Sequence, residues 1–145
     1  MSQSVGCRVF AAAVAAFFML SGAASAQTLR ASHQFPGGKG DVRDDMVQII
    51  AKEIKAANVG LNVQVYPGAS LFKANDQWDA LVKGQLDISL FPLDYASGKV
   101  PAFSATLMPG LIGGNERAKR INASAFMTDM RKIIADEGVI VLSDA

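Results

Sequence analysis

The hydrophobic pattern changes its period several times along the chain. Apolar and polar residues alternate in Leu61–Val65 and Leu86–Leu90, which predicts two short strands, and Thr28–Ser32 is a third short stretch of this kind. Between these stretches, apolar residues recur every three or four positions, which predicts one helix after Asp41 and a shorter helix over about Asn75–Lys83. The order is therefore β-α-β-α-β, and we expect an α/β fold with a mostly parallel sheet and flanking helices.

The first predicted helix has a recognisable start, end and apolar face. Asp41 is a suitable N-cap, and Asn58 and Gly60 stop the helix. The apolar positions are spaced as one helical face, made of Val42, Met46, Ile49, Ile50, Ile54 and Ala57. We predict a core around Ile49, Val63, Leu81 and Ile88, with Trp78 on the buried side of the second helix.

The last third of the chain is more irregular. Pro101–Gly114 is apolar but broken by proline and glycine, and we interpret it as an extended segment that crosses the sheet. Asn115 is predicted to cap one long helix that ends at Gly138, and Val139–Leu142 is predicted to be a final buried strand. The residues expected to face inward on the long helix are Ala118, Ile121, Ala125, Met130, Ile133 and Ile134.

The first 26 residues have the pattern of a cleaved export signal. Arg8 precedes the apolar run Val9–Leu20, and the small residues Ala24-Ser25-Ala26 follow it. The run is shorter than the ~20 residues that a membrane-spanning helix needs. Cleavage after Ala26 would also remove Cys7, the single cysteine, so we expect a periplasmic protein without disulfides.

Charge and composition disfavour several classes of function. The formal net charge is +1, and the basic residues Arg117, Lys119 and Arg120 fall on one predicted helix, so we expect a solvated face and no nucleic-acid partner. With one histidine and no cysteine after cleavage, we expect no metal site and no cofactor. The glycines of Gly37–Asp41 lack the spacing of a phosphate-binding loop, and no serine lies in a G-x-S-x-G turn.

The ends of the three strands are the candidate site. In a parallel sheet the carboxyl ends lie on one edge, so His33–Phe35, Tyr66–Gly68 and Phe91–Leu93 are expected to converge there. His33, the single histidine, suits either a ligand contact or a bond within its own loop. No basic residue is expected at this edge, so strong anion binding by it alone is not predicted.

Three motifs in this order resemble one family. YPGASL at Tyr66–Leu71, GQLDI at Gly84–Ile88 and SGKVPAF at Ser97–Phe103 are similar to the solute-binding subunit of tripartite ATP-independent periplasmic (TRAP) transporters, the dicarboxylate-binding family. The resemblance runs from about Leu29 to the end of the sequence. It implies a two-lobed binding protein that captures a small organic acid, delivers it to membrane permease subunits and catalyses no reaction.

The resemblance also implies a division of the chain. Residues 27–138 match the first periplasmic-binding-protein-like lobe, 139–145 match the start of a crossover strand, and the second lobe is largely absent. In the family that second lobe provides an arginine for the ligand carboxylate, and no residue here matches it. The expected ligand contacts are His33, Gln34, Phe91 and Tyr95, whereas the charge of Asp94 would repel a carboxylate.

Two alternatives from other classes remain open at this point. The chain could be a fragment of an exported α/β enzyme whose catalytic residues lie in sequence that is missing from it. It could also be an interaction module that binds no small ligand and uses the same edge to dock a partner. A second lobe with a suitable arginine downstream of Ala145 would favour the transporter interpretation.

Overall fold

Three parallel strands form the sheet in the part of the chain that the structure describes. The structure is a computed structural model, and it describes residues 26–38 and 40–143. β1 (Gln27–His33) lies between β2 (Leu61–Tyr66) and β3 (Ile88–Leu90), and both neighbours run parallel to it. The predicted β-α-β-α-β order and parallel sheet are therefore confirmed. The predicted export signal lies outside the described residues, apart from Ala26.

The first helix, α1 (Val42–Ala57), begins and ends where the sequence predicts. The Asp41 side chain accepts a hydrogen bond from the backbone N–H of Arg43, as an N-cap does. Asn58 follows the helix in a left-handed conformation with φ 49°, which asparagine tolerates better than most residues. The connection β1–α1–β2 thus places the end of β1 close to the start of α1.

The predicted buried face of α1 is confirmed for Ile54 and wrong for Val42 and Ile49, because the buried stripe is displaced by about one position. Val47 is buried, and it packs with Ala31 of β1 and Val63 of β2 in the first core cluster, with Ala51 and Ile54 at its margin. Val42 and Ile49 are 70% and 57% exposed, so Ile49 is not a core residue. Two apolar stripes lie side by side on this helix, and spacing alone does not decide which one faces the sheet.

A second cluster lies around the helix α2 (Gln77–Val82), which follows a single 3-10 turn at Ala74–Asp76. Trp78 is buried, as predicted, and its ring meets the edge of Phe103 at a centroid distance of 5.0 Å. Phe103 is fully buried although its segment was predicted to be extended. The buried members of this cluster are Trp78, Ala96, Val100, Phe103, Met130 and Ile134.

The segment after Val100 is helical, so the prediction of an extended crossing is wrong there. Pro101–Leu107 forms a 3-10 helix with proline at its first position, where the missing N–H costs no hydrogen bond. The hydroxyls of Ser104 and Thr106 donate to the carbonyls of Pro101 and Phe103, three residues earlier. These local bonds favour tight turns over an extended chain.

The predicted long helix is divided into two. α3 (Asn115–Asn122) and α4 (Ala125–Asp136) are separated at Ser124, whose backbone is extended and whose hydroxyl donates to the carbonyl of Ile121. The N-cap position of α3 belongs to Gly114 and not to Asn115. Met130 and Ile134 are buried as predicted, but Ala125 is exposed.

The predicted strand at Val139–Leu142 is also wrong. These residues follow α4 without strand structure, and Ile140 is 75% exposed. A strand needs backbone partners from a neighbouring strand, and the described sheet has none beside this segment. Leu142 instead lies at an apolar surface pocket on the outer side of α1, lined by Met46, Ile49, Ile50, Leu142 and Ser143.

Candidate functional site

The carboxyl ends of the strands converge, as the sequence predicts. The backbone N–H of Gly68 donates to the carbonyl of Phe35 at 2.8 Å, and the N–H of Ala69 donates to the carbonyl of His33 at 2.9 Å. On the other side of β1, His33 is in register with Leu90, the last residue of β3. We call the resulting surface, formed by residues 33–38, 66–70 and 91–95, the carboxyl edge.

His33 is held inside the carboxyl edge. Its ring is fully buried, stacks on Phe35 at a centroid distance of 5.9 Å, and has Nε2 3.0 Å from Oδ1 of Asp44 in α1. Its Nδ1 has no hydrogen-bond partner among the described residues. This contact is with the neighbouring helix and not with the loop of His33 itself, so it is neither of the two predicted roles, and direct ligand contact stays a prediction.

Asp44 is the centre of the polar contacts at this edge. The carboxylate is buried, and it accepts from the Gly38 N–H at 3.0 Å and the Gln48 amide at 3.2 Å besides its contact with His33. The Gly38 hydrogen bond, followed by those from Gln48 and His33, lowers the pKa of Asp44 against the opposing effect of burial. Asp44 is therefore an ionised carboxylate at neutral pH that joins three segments of the chain.

The carboxylate of Asp44 is hydrogen-bonded to the glycine turn that precedes α1. A Cβ atom on Gly37 would lie 2.4 Å from the side chain of Pro67, so only glycine allows the β1 and β2 exits to approach this closely. The Gly38 N–H, which a phosphate-binding turn would offer to a ligand, is taken by Asp44. The geometry agrees with the glycine spacing, which is not that of a phosphate-binding loop.

Gln34 is the first residue of the turn after β1. It is half-buried, and its side-chain oxygen Oε1 is buried without a hydrogen-bond partner among the described residues. The hydroxyl of Ser32, two positions earlier, is in the same situation. Buried polar atoms without a hydrogen-bond partner among the described residues therefore lie both in the last part of β1 and at the first position of the turn that follows it.

Sequence reasoning missed a buried amide next to this position. Gln77, the first residue of α2, is fully buried, and its amide nitrogen donates to the Phe72 carbonyl at 3.2 Å. The hydroxyl of Ser89 in β3 donates to Gln77 Oε1 at 2.7 Å and lies 3.0 Å from the Ser32 carbonyl. The available signal was Ser89 itself, a small polar residue between two apolar strand positions.

Phe91 and Tyr95 form the aromatic part of the carboxyl edge. Phe91 is half-buried, with its ring 6.1 Å from Trp78 and 6.2 Å from Tyr95 between centroids. Tyr95 belongs to the 3-10 turn Leu93–Ala96 and is 42% exposed, while Asp94 beside it is half-buried. The structure thus brings together two of the four predicted contact residues here, whereas His33 and Gln34 lie at the β1 exit.

Arg43 of α1 lies against the carboxyl edge through the ring of Phe35, which corrects the expectation of no basic residue there. The guanidinium carbon of Arg43 is 3.9 Å from the centroid of the Phe35 ring. Its Nε and Nη2 donate to the two carboxylate oxygens of Asp41 at 2.8 and 2.6 Å. The hydrogen bond from Arg43 lowers the pKa of Asp41 to about 2, and the pKa of Arg43 is raised in turn. The charge is already paired, so Arg43 is not a free anion site.

Other charged groups that the sequence singled out are on the surface. Asp79 forms ion pairs with Lys99 and Lys83, and the Lys99 pair lowers its pKa, so Asp79 is a paired carboxylate. Arg117, Lys119 and Arg120 are exposed on α3, as predicted for a solvated face.

Within residues 26–38 and 40–143, no group of three His, Cys, Asp or Glu side chains is arranged to hold a metal ion. None of the helices in these ranges has the length and apolar character of a membrane span.

Comparisons with known proteins point in one direction. Residues 41–144 match the family model of the bacterial extracellular solute-binding proteins, family 7. A solute-binding protein from Albidiferax ferrireducens is 38% identical over 124 residues, which are 83% of this chain and 37% of the relative. The chain therefore spans well under half the length of this relative.

Solved structures share the fold. A TRAP periplasmic solute binding protein from Rhodoferax ferrireducens with bound malonate is 38% identical and superposes with a TM-score of 0.75, covering 79% of this chain and 38% of that chain. A second TRAP periplasmic solute binding protein, from Ochrobactrum anthropi with its C-terminus bound in the ligand-binding pocket, is 25% identical with a TM-score of 0.73. That match covers 83% of this chain and 37% of the solved one.

Proposed function

This chain belongs to the bacterial extracellular solute-binding proteins of family 7, and we propose that it captures a small organic acid for a TRAP-type transporter. The observation that carries the proposal is the malonate-bound protein from Rhodoferax ferrireducens, which is 38% identical and has the same fold over 79% of this chain. Its ligand makes a small dicarboxylate the first candidate. A binding protein of this kind catalyses no reaction, and we propose the same for this chain.

The carboxyl edge is the proposed place of capture. Parallel α/β sheets bind ligands beside the carboxyl ends of their strands, and here three exits and two exposed or half-exposed aromatic rings share that edge. We propose contacts from Gln34, Phe91 and Tyr95. His33, which is fully buried at the same exit, is the fourth proposed contact.

The location and the partners follow from the same proposal. Proteins of this family are periplasmic, and we propose export to the periplasm with cleavage after Ala26. We propose membrane permease subunits as the protein partners and no nucleic-acid partner. The family resemblance further implies that residues 27–138 correspond to the first of two lobes.

Calorimetry on the product of the complete reading frame tests this function. Malonate is the probe, and malonamide is the matched control, because it has nearly the same shape but no charge. We expect saturable binding of malonate and none of malonamide. Equal responses to both compounds, or heat from neither compound or any other small organic acid, would contradict organic-acid capture.

A further inference from the structure

The contacts of Asp44 exceed what its helix needs. The N-cap of α1 is already Asp41, whose side chain accepts the Arg43 N–H. Asp44 is nevertheless buried, and its partners come from β1, from the glycine turn and from α1 itself. Burying a carboxylate has a large desolvation cost, and an apolar side chain often stabilises such a position as well or better. The burial of this charge therefore calls for a reason other than helix capping.

The segment that Asp44 holds is the one that carries Gln34. The carbonyls of His33 and Phe35 accept from Ala69 and Gly68, so one side of the turn is fixed to the exit of β2. The other side is fixed by Asp44. One of its carboxylate oxygens contacts Nε2 of the His33 ring, and the other accepts a hydrogen bond from the Gly38 N–H. Gln34 lies between these two attachments.

From this geometry we infer that Asp44 is a positioning residue of the acid site. It holds the turn of residues 34–38 so that Gln34 stays in place at the carboxyl edge. The inference rests on the proposed function, since it assigns Asp44 a role in that same site. It does not place Asp44 in contact with the ligand, because a buried negative charge would repel a carboxylate.

Comparing Asp44→Asn with a control substitution distinguishes a positioning role of Asp44 from an effect of its negative charge alone. The amide keeps one oxygen for His33 and Gln48, but its NH₂ group would face the Gly38 N–H, so that donor loses its acceptor. Asp45→Asn is the matched control, because Asp45 is an exposed neighbour in the same first turn and the charge change is identical. If the charge acted only through space, both variants would bind an anion more tightly.

The experiment is a malonate titration of the product of the complete reading frame, followed by ¹⁵N NMR, with hydrogen exchange at Gly38. For Asp44→Asn we expect the Gly38 amide to exchange at least about tenfold faster and the malonate dissociation constant to rise at least about tenfold, roughly the effect of one lost hydrogen bond. For Asp45→Asn we expect the Gly38 exchange rate and the malonate dissociation constant each to change by less than about twofold, as for an exposed site. A role in stability alone would lower the melting temperature and leave the dissociation constant of the folded chain unchanged.

The outcomes are distinguishable. Unchanged or tighter malonate binding by folded Asp44→Asn would overturn the inference. If that variant does not fold, Gln48→Leu replaces it: this change leaves the His33 and Gly38 bonds in place, so unchanged binding is expected and weaker binding would contradict the inference. If the unsubstituted product of the complete reading frame shows no malonate response, the proposed function fails, and the Gly38 exchange rate alone decides whether Asp44 positions the turn.

Discussion

The ring nitrogen Nε2 of His33 lies 3.0 Å from the carboxylate oxygen Oδ1 of Asp44, and both side chains are buried. The contact joins the end of β1 to the first turn of α1, where neither residue type is usual in a core. Through this contact the end of β1 and the first turn of α1 form a corner beside the sheet. The corner is also the part of the protein where the ligand is proposed to bind.

The lowered pKa of Asp44 predicts a dependence of stability on pH. A carboxylate whose pKa is below its unfolded value of about 3.9 stabilises the fold above that pH, and the contribution is lost as the pH falls through the folded pKa. We expect the difference in unfolding free energy between the unsubstituted chain and Asp44→Asn to shrink steadily below about pH 4. Urea unfolding monitored by Trp78 fluorescence at several pH values measures it. A difference that stays constant from pH 7 to pH 3 would show that the charge of Asp44 has no part in stability.

The two apolar stripes of α1 predict that two similar substitutions differ in their effect on stability. Val47→Ala removes buried methyl groups that contact Ala31 and Val63, and it should lower the unfolding free energy by about 1–3 kcal/mol. Ile49→Ala removes more atoms but from a residue that is 57% exposed, and it should change the free energy by no more than about 0.5 kcal/mol. Thermal unfolding of both variants tests the register of the helix. A larger effect from Ile49 would mean that the originally predicted face is the buried one.

The fold could be predicted where the sequence pattern and the local chemistry agreed. The alternation in Leu61–Val65 and the Asp41 cap each have a simple periodicity or capping signal, and both are confirmed. The prediction failed for Pro101–Gly114 and for the single long helix. There the structure depends on local hydroxyl bonds from Ser104, Thr106 and Ser124, which a hydrophobicity pattern does not contain.

The candidate site was predictable in position but not in its contacts. Parallel strands place their ends on one edge regardless of detail, so the convergence of the three exits followed from the element order alone. The contacts of Asp44 and Gln77 depend on which side of each helix faces the sheet, and the spacing of apolar residues alone does not decide that rotation. Asp44 lies in the first turn of the helix, where acidic residues are common for electrostatic reasons, so its sequence position did not indicate a buried contact.

The export segment gives a prediction that concerns residues outside the described ranges. The small residues Ala24-Ser25-Ala26 after the apolar run predict cleavage there, so the mature chain should begin at Gln27. Mass spectrometry of periplasmic material measures the N-terminus directly. Ala24→Leu is the corresponding test, since a bulky residue should block cleavage. If the unsubstituted protein stays bound to the membrane and retains Val9–Leu20, the prediction is wrong.

Affinity should depend strongly on sequence beyond this chain. The family resemblance implies an arginine from a second lobe, and two hydrogen bonds to a charged group are worth ~1.5–3 kcal/mol each, or more than about a hundredfold in affinity together. We expect residues 27–145 alone to bind malonate at least about a hundredfold more weakly than the product of the complete reading frame. Calorimetry on both proteins compares them. Submicromolar binding by residues 27–145 would show that this part forms a full site without further contacts.

The most direct test of acid capture at the carboxyl edge is a ¹⁵N NMR titration of residues 27–145 with malonate, with malonamide as the neutral control. We predict that malonate shifts amide signals at Gln34, Phe35 and Phe91–Tyr95, that malonamide does not, and that Ile49 and the rest of the outer face of α1 are unaffected. Shifts confined to α3 and α4, or identical shifts with both compounds, would contradict the assignment of this edge as the acid-binding site.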